Sequence, residues 1–308
     1  MLSRLKPWHL VVIVVLLCGG VLLFAHWKRG SRRFDAAALI ECLPPDRSTH
    51  VFLDVAALRA SGILDLVAGS KAVEEPDYRQ FVTQTGFDYR TDLDAAAVGF
   101  LSGDTYFALR GRFDWKQLAA YAQSQGGQCV NAVCEMPAST PDRHISFYPL
   151  TSDVMALAVA KQERAVTMVG PNQWSKPPQV PPEPVWIAAP AFTFEDAKNL
   201  PAGTQSFLRP LAQAQKIVFA IGPDGNRLHL RLEVTCANRE AAADLAAKLS
   251  SVTDELNKML VRDHMTPNPL DWSGVLTSGK FEQKDERVSG VWPIERGFIS
   301  ALVNGKID

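Results

Sequence analysis

Few residues in this 308-residue chain have the type and spacing to do chemistry. The run Gly274-Val-Leu-Thr-Ser-Gly279-Lys280 has the G-x4-G-K spacing of a loop that cradles nucleotide phosphates on backbone N–H groups and a lysine. Phe281 stands where a magnesium-binding Ser or Thr belongs, no apolar strand precedes the run, and the alternating residues after it read as strand rather than a helix N-terminus. A plain hairpin turn is the expectation there. Asp88, Asp92 and Asp94 could offer oxygen ligands to calcium, but the Asp-Gly turn and distal Glu of a calcium loop are missing, so turn and cap roles are expected. Ser139, Asp142 and His144 are triad residue types in a proline-flanked loop without a nucleophile elbow. The six histidines, His9, His26, His50, His144, His229 and His264, never pair at metal-ligand spacing. Glu74, Glu75 and Asp77 read as a solvated loop. No catalytic, cofactor-binding or metal-binding residue is therefore assigned, which weighs against a hydrolase, a kinase or a metalloenzyme.

Cys129 and Cys134 are different. They enclose Val-Asn-Ala-Val, so a two-residue turn at Asn131 and Ala132 sets them opposite each other on a hairpin, within disulfide reach. A disulfide implies an oxidising compartment. Two small buried thiols are the alternative reading, and a zinc site lacks a second Cys or His pair.

Upstream, Leu10 to Ala25 is an uncharged run bracketed by Trp8 and Trp27, whose spacing at 1.5 Å per residue is about 28 Å, a bilayer core with an aromatic at each interface. Arg4 and Lys6 precede it; Lys28, Arg29, Arg32 and Arg33 follow. An uncleaved transmembrane anchor is expected, because Leu23 and the bulky His26-Trp27 pair spoil a signal-peptidase site and Leu17 before Cys18 spoils a lipoprotein site. The flanking cations favour a cytoplasmic body and the cysteines an extracytoplasmic one; large domains cross with little regard to flank charge, so the cysteines decide. Removing the six cations at or before Arg33 from 32 leaves 26 basic against 33 acidic residues, a body charge of −7 that argues against nucleic acid.

The remaining elements must position whatever the body does. Seven of the twenty residues from Pro171 to Pro190 are proline, which predicts an extended connector between two halves, giving residues 1–33 as anchor and collar, 34–170 and 191–308 as α+β halves, and 171–190 as linker. The first half reads as strands Ala97 to Leu101 and Thr105 to Arg110, a helix capped by Asp114, short strands around Cys129 to Cys134, Ile145 to Tyr148 and Val154 to Ala160, and a helix Lys161 to Met168. The second reads as strands Lys216 to Ile221 and Arg227 to Val234 around Pro223-Asp224-Gly225, a long helix capped by Asn238, strands near Lys280 and Arg287, and a helix from Ile294. That repeated order predicts two ferredoxin-like layers, each an antiparallel sheet with helices on one face.

Leu43-Pro44-Pro45-Asp46, the Gly86-Phe87-Asp88 and Asp92-Leu93-Asp94 phrases, and Gly111-Arg112-Phe113-Asp114 opening a helix resemble an uncharacterised family of bacterial membrane-anchored extracytoplasmic proteins. The resemblance implies two α+β halves and a periplasmic compartment, and no reaction. The expected function is a non-enzymatic, membrane-tethered module that binds a protein or apolar partner without cofactor, nucleotide or nucleic acid. The alternatives are a carrier or sensor of a lipid or other hydrophobic ligand, and a cell-envelope hydrolase.

Overall fold

The local signals produce strands and hairpins largely where the sequence places them. Ser102 and Gly103 take positive φ to join β2 (Leu93–Leu101) to β3 (Asp104–Gly111), and Asn131 and Ala132 do the same between β4 (Gln128–Val130) and β5 (Val133–Pro137). Asp114 accepts from the N–H groups of Lys116 and Gln117 at the head of a helix, and Asn238 accepts from Ala241. The computed structural model describes residues 35–45, 48–68, 76–171, 179–191 and 202–305. The expected anchor, with Trp8 and Trp27, lies outside them. Among the described residues no helix is long and apolar enough to cross a membrane.

The two ferredoxin-like layers do not exist. Twelve strands form one sheet in the order β11-β12-β10-β9-β8-β1-β2-β3-β7-β6-β5-β4, every neighbouring pair antiparallel. The remaining strands are β1 (Thr49–Leu53), β6 (His144–Pro149), β7 (Val154–Ala160), β8 (Val185–Pro190), β9 (Lys216–Asp224), β10 (Arg227–Thr235), β11 (Lys280–Lys284) and β12 (Arg287–Ile294). The join is made by β1, which pairs with β2 on one side and β8 on the other, while β8 pairs with β9. β8 comes from the end of the proline-rich stretch. Its interior, Val-Trp-Ile-Ala-Ala, is free of proline, with Pro184 just before it and Pro190 at its last position, so no ladder N–H is lost inside the strand.

Because register fixes faces, the sheet can be read as rows. The helices are α1 (Ala36–Glu41), α2 (Val55–Ala60), α3 (Ile63–Ala68), α4 (Pro76–Thr85), α5 (Tyr89–Asp92), α6 (Trp115–Ser124), α7 (Ala202–Leu211), α8 (Arg239–Arg262), α9 (Trp272–Thr277) and α10 (Arg296–Val303). On what we call the front face, Leu118 and Ala122 of α6 pack with Cys134, Phe147 and Met155 at the β4 end, with Phe81 of α4 against them. At the β11 end Leu228, Leu232, Val234, Val288 and Trp292 pack with Phe207 of α7, Leu245 and Leu249 of α8, Val275 of α9 and Phe298 of α10. The back face is covered differently. Leu39, Ile40 and Leu43 in and after α1, and Val166 and Val169 in and after a 3-10 turn at Ala165–Met168, are fully buried. They lie over a floor of small residues, Ala97, Ala108, Ala156 and Ala158, with Gly99 beneath the Leu43 side chain. Helices on both faces are a second departure from the expected layers.

Candidate functional site

One front-face row crosses the whole sheet. Register aligns Phe281, Gly290, Leu232, Phe219, Ile187, Val51, Val98, Phe107, Leu157, Phe147, Cys134 and Cys129, one residue from each strand and none of them polar. At each end the row runs under helices that touch β11 and β12 or β4 and β5, and α2 reaches in to touch β2. In the middle, on β8, β1, β2, β3 and β7, the cover given by the described helices is incomplete. Val51, Phe107, Leu157 and Ile187 are only partly buried there, and Phe100, in the adjacent row beside Thr49 and Thr105, is 46% exposed. Five strands at about 4.8 Å make this apolar strip roughly 19 Å wide.

The sheet edges offer no such surface. β4 is three residues long, and β11 alternates Lys280, Glu282 and Lys284 outward, two familiar ways of discouraging strand addition.

The residues with chemical potential are placed as follows. Cys129 and Cys134 are directly opposite in the β4–β5 ladder and form a disulfide. Gly274 to Thr277 lie in α9 rather than in a hairpin turn, and a Cβ on Gly274 would come within 2.2 Å of the Asn268 carbonyl oxygen, so this glycine serves close packing. Asp88 caps α5 through the Arg90 N–H and accepts from the Tyr78 hydroxyl at 2.8 Å. Asp92 accepts from the Asp88 N–H and from Arg112; burial pushes its carboxyl up, but these donors outweigh it and hold the group below the usual carboxylate range. Asp94 stands 4.0 Å from Arg59. The three are structural. Ser139, Asp142 and His144 belong to the β5–β6 turn and its strand end, and no hydrogen bond joins them. Among the described residues no group of three or more His, Cys, Asp or Glu could hold a metal ion. Glu74 and Glu75 lie outside the described residues, and Asp77 sits in the first turn of α4.

No family model matches the chain, and no curated protein does. Among solved structures, crystal forms I, III and IV of TP0453 align at 10%, 10% and 11% identity, each with a TM-score of 0.49. The alignments cover 87%, 87% and 86% of this chain and 97%, 98% and 96% of those chains. At that score the likeness carries no argument about what the chain does.

Two polar constellations escaped the sequence because their members meet only through the fold. Ser48 and His50 are both buried, with the Ser48 Oγ 3.1 Å from His50 Nε2. The hydroxyl donates instead to the Pro44 carbonyl at 2.6 Å, so it is not held as a nucleophile and the pair latches the turn before β1. Burial holds the His50 pKa below its ordinary value despite the Pro44 carbonyl, and Lys216 pushes in the same direction as burial. On the back face of β10, Arg231 donates Nε and Nη2 to the two oxygens of buried Glu183, at 2.5 and 2.6 Å, and also contacts Glu233. Burial raises the Glu183 carboxyl, but Arg231 and His229 more than offset this and leave it below the usual range. The alternation of His229, Arg231 and Glu233 marks a polar row in the sequence; their partner, 48 residues before Arg231, is not marked.

A cleft of about 670 Å³ lies between the end of α4 and the start of α6, lined by Phe87, Phe113, Trp115, Asp92, Arg112 and Gln117 among others. Its rings spend their faces on one another, Phe87 on Phe113 and Phe113 on Trp115, each pair at 5.3 Å. Its carboxylates are capped or paired. It holds the end of the sheet together and assembles no reacting group.

Proposed function

We propose that the chain is a non-enzymatic, membrane-tethered extracytoplasmic module that receives an apolar segment of a partner protein on the middle of its front face. The observation that carries this is the unbroken apolar row, roofed by helices at both ends and left partly exposed between them around Phe100, Val51, Phe107 and Leu157. A strip about 19 Å wide accommodates one amphipathic helix, whose diameter with side chains is about 10–12 Å. Burying an exposed Phe contributes about 1.5–3 kcal/mol, so a few such contacts suffice for a specific partner. The protected edges support recognition through a face.

The compartment belongs to the same proposal and is supported by the Cys129–Cys134 disulfide, which persists where the environment is oxidising. The sequence of residues 8–27 supports a tether. A reporter fused after Asp308 should be active only outside the cytoplasm; activity only inside would reverse the orientation. For the surface itself, Phe100→Asp should abolish co-purification of partner from native membranes, while Val291→Asp, on the opposite face and 42% exposed in the wild type, should leave it intact. Equal recovery with both variants would remove the proposal.

A further inference from the structure

The back face of β9, β10, β12 and β11 ends in a row of cations that no acid among the described residues neutralises. Register sets Lys284 against Arg287, Arg287 against Thr235 and Thr235 against Lys216, so four side chains leave one face from adjacent strands about 4.8 Å apart. Lys284 and Arg287 are like charges directly opposite, an arrangement that costs stability unless a countercharge is supplied. In the neighbouring row Arg231 is saturated by Glu183 and Glu233. By contrast the Lys216, Lys284 and Arg287 side chains, and that of nearby Arg239, make no ion pair or hydrogen bond among the described residues. In a body whose formal charge is −7, four unpaired cations at one end of the sheet run against the trend.

Two clefts meet at Arg287. One, of about 440 Å³, is lined by Lys216, Arg231, Glu233, Thr235 and Arg287, with residues 179–182 along it. The other, of about 570 Å³, is lined by Arg239, Lys284, Arg287 and the turn acids Asp285 and Glu286. Of the acids facing the row, Glu233 is paired with Arg231, and Asp285 and Glu286 belong to the turn between Lys284 and Arg287. The Lys216–Arg287 side is therefore left positive.

We propose that Lys216 and Arg287, on either side of the Thr235 hydroxyl, form a binding site for a phosphate-class oxyanion. A guanidinium offers a two-pronged donor, an ammonium a mobile point charge and a hydroxyl a third donor. Three donors from three strands converge on a tetrahedral anion with several acceptor oxygens better than on a planar carboxylate. Free phosphate and a lipid phosphate headgroup share this chemistry of recognition.

The test titrates the full chain in non-ionic detergent with inorganic phosphate and, separately, with a short-chain phosphatidylglycerol below its micelle concentration, reading broadening of the phosphorus resonance. Chloride serves as the anion without oxygen. Saturable binding is expected for at least one probe, weakened tenfold or more in Lys216→Gln/Arg287→Gln at an unchanged melting temperature, and retained in Lys280→Gln. Should the double variant lose its fold, Lys216→Gln alone is expected to weaken binding severalfold. Binding of inorganic phosphate identifies the free anion as sufficient, and binding of the lipid alone identifies the headgroup. Absence of saturable binding by both probes, or equal binding by folded variants, overturns the site.

Discussion

Two regions of the sheet solve the same burial problem on opposite faces. From β1 to β7 the back face is paved with Ala97, Ala108, Ala156, Ala158 and Ala160, all at 0% exposure, and the segments around α1 and the 3-10 turn lie directly on it. From β9 to β11 the back face carries Lys216, Arg231, Glu233, Glu282 and Arg287, whose charges keep it in water. The bulky residues of that second region point forward instead, into the helices α7 to α10. Side-chain size and charge on one face thus decide where a cover can settle. The middle of the front face, between the two helical layers, is the place where neither solution is complete.

The comparison can be broken first through the front-face core of the β9–β12 region. Leu232, 1% exposed beneath the helices, should cost about 2–5 kcal/mol when replaced by Ala, measured by denaturant unfolding. Leu157→Ala, on the same row but partly exposed, should cost clearly less. Equal losses would mean that the middle of the row is packed as tightly as its ends.

The back face sharpens the contrast at smaller magnitude. Ala156→Leu would drive a larger side chain into the covered floor and should destabilise by about 1–3 kcal/mol. Ser289→Leu, on the wet end of the same face, should fall within about 0.5 kcal/mol. A tolerant Ala156 would contradict close cover by the α1 and 3-10 segments.

Acid should separate the two regions by where in pH each responds. His50 is buried on the covered side with its pKa held below the ordinary value, so it folds neutral. Its contribution is complete above about pH 6.5 and declines as pH falls from there through its lowered pKa. Glu183 has a carboxyl pKa held down in the fold, so its contribution is present above the ordinary value of about 4.3 and is lost only as pH falls further. Melting temperatures measured across this range should show His50→Gln removing the earlier decline and Glu183→Gln the later one. A single shared midpoint would undo the assignment.

Much of this was readable from sequence wherever the controlling contacts are local. The Asn131-Ala132 turn, the Asp114 and Asn238 caps and the Leu228 to Val234 alternation each depend on residues within a few positions, and each forms. The single sheet was hidden because it depends on Val51 meeting Ile187, 136 positions away, through a strand embedded among prolines. Dividing the chain at those prolines turned one sheet into two layers. The alanine floor was equally silent: alanine is a weak strand former, and the meaning of Ala97, Ala108 and Ala156 appears only once register aligns them. The apolar row is a property of twelve strands at once, so no stretch of sequence displays it.

The most direct measurement compares two similarly exposed apolar positions on opposite faces, Phe100 at 46% and Val291 at 42%. A photo-reactive phenylalanine analogue is placed at one or the other in the full chain and irradiated in native membranes. The account predicts a discrete cross-linked partner from position 100, competed away by Phe107→Asp in the same chain, and none from position 291. Cross-linking of equal yield from both positions, or from position 291 alone, would contradict it.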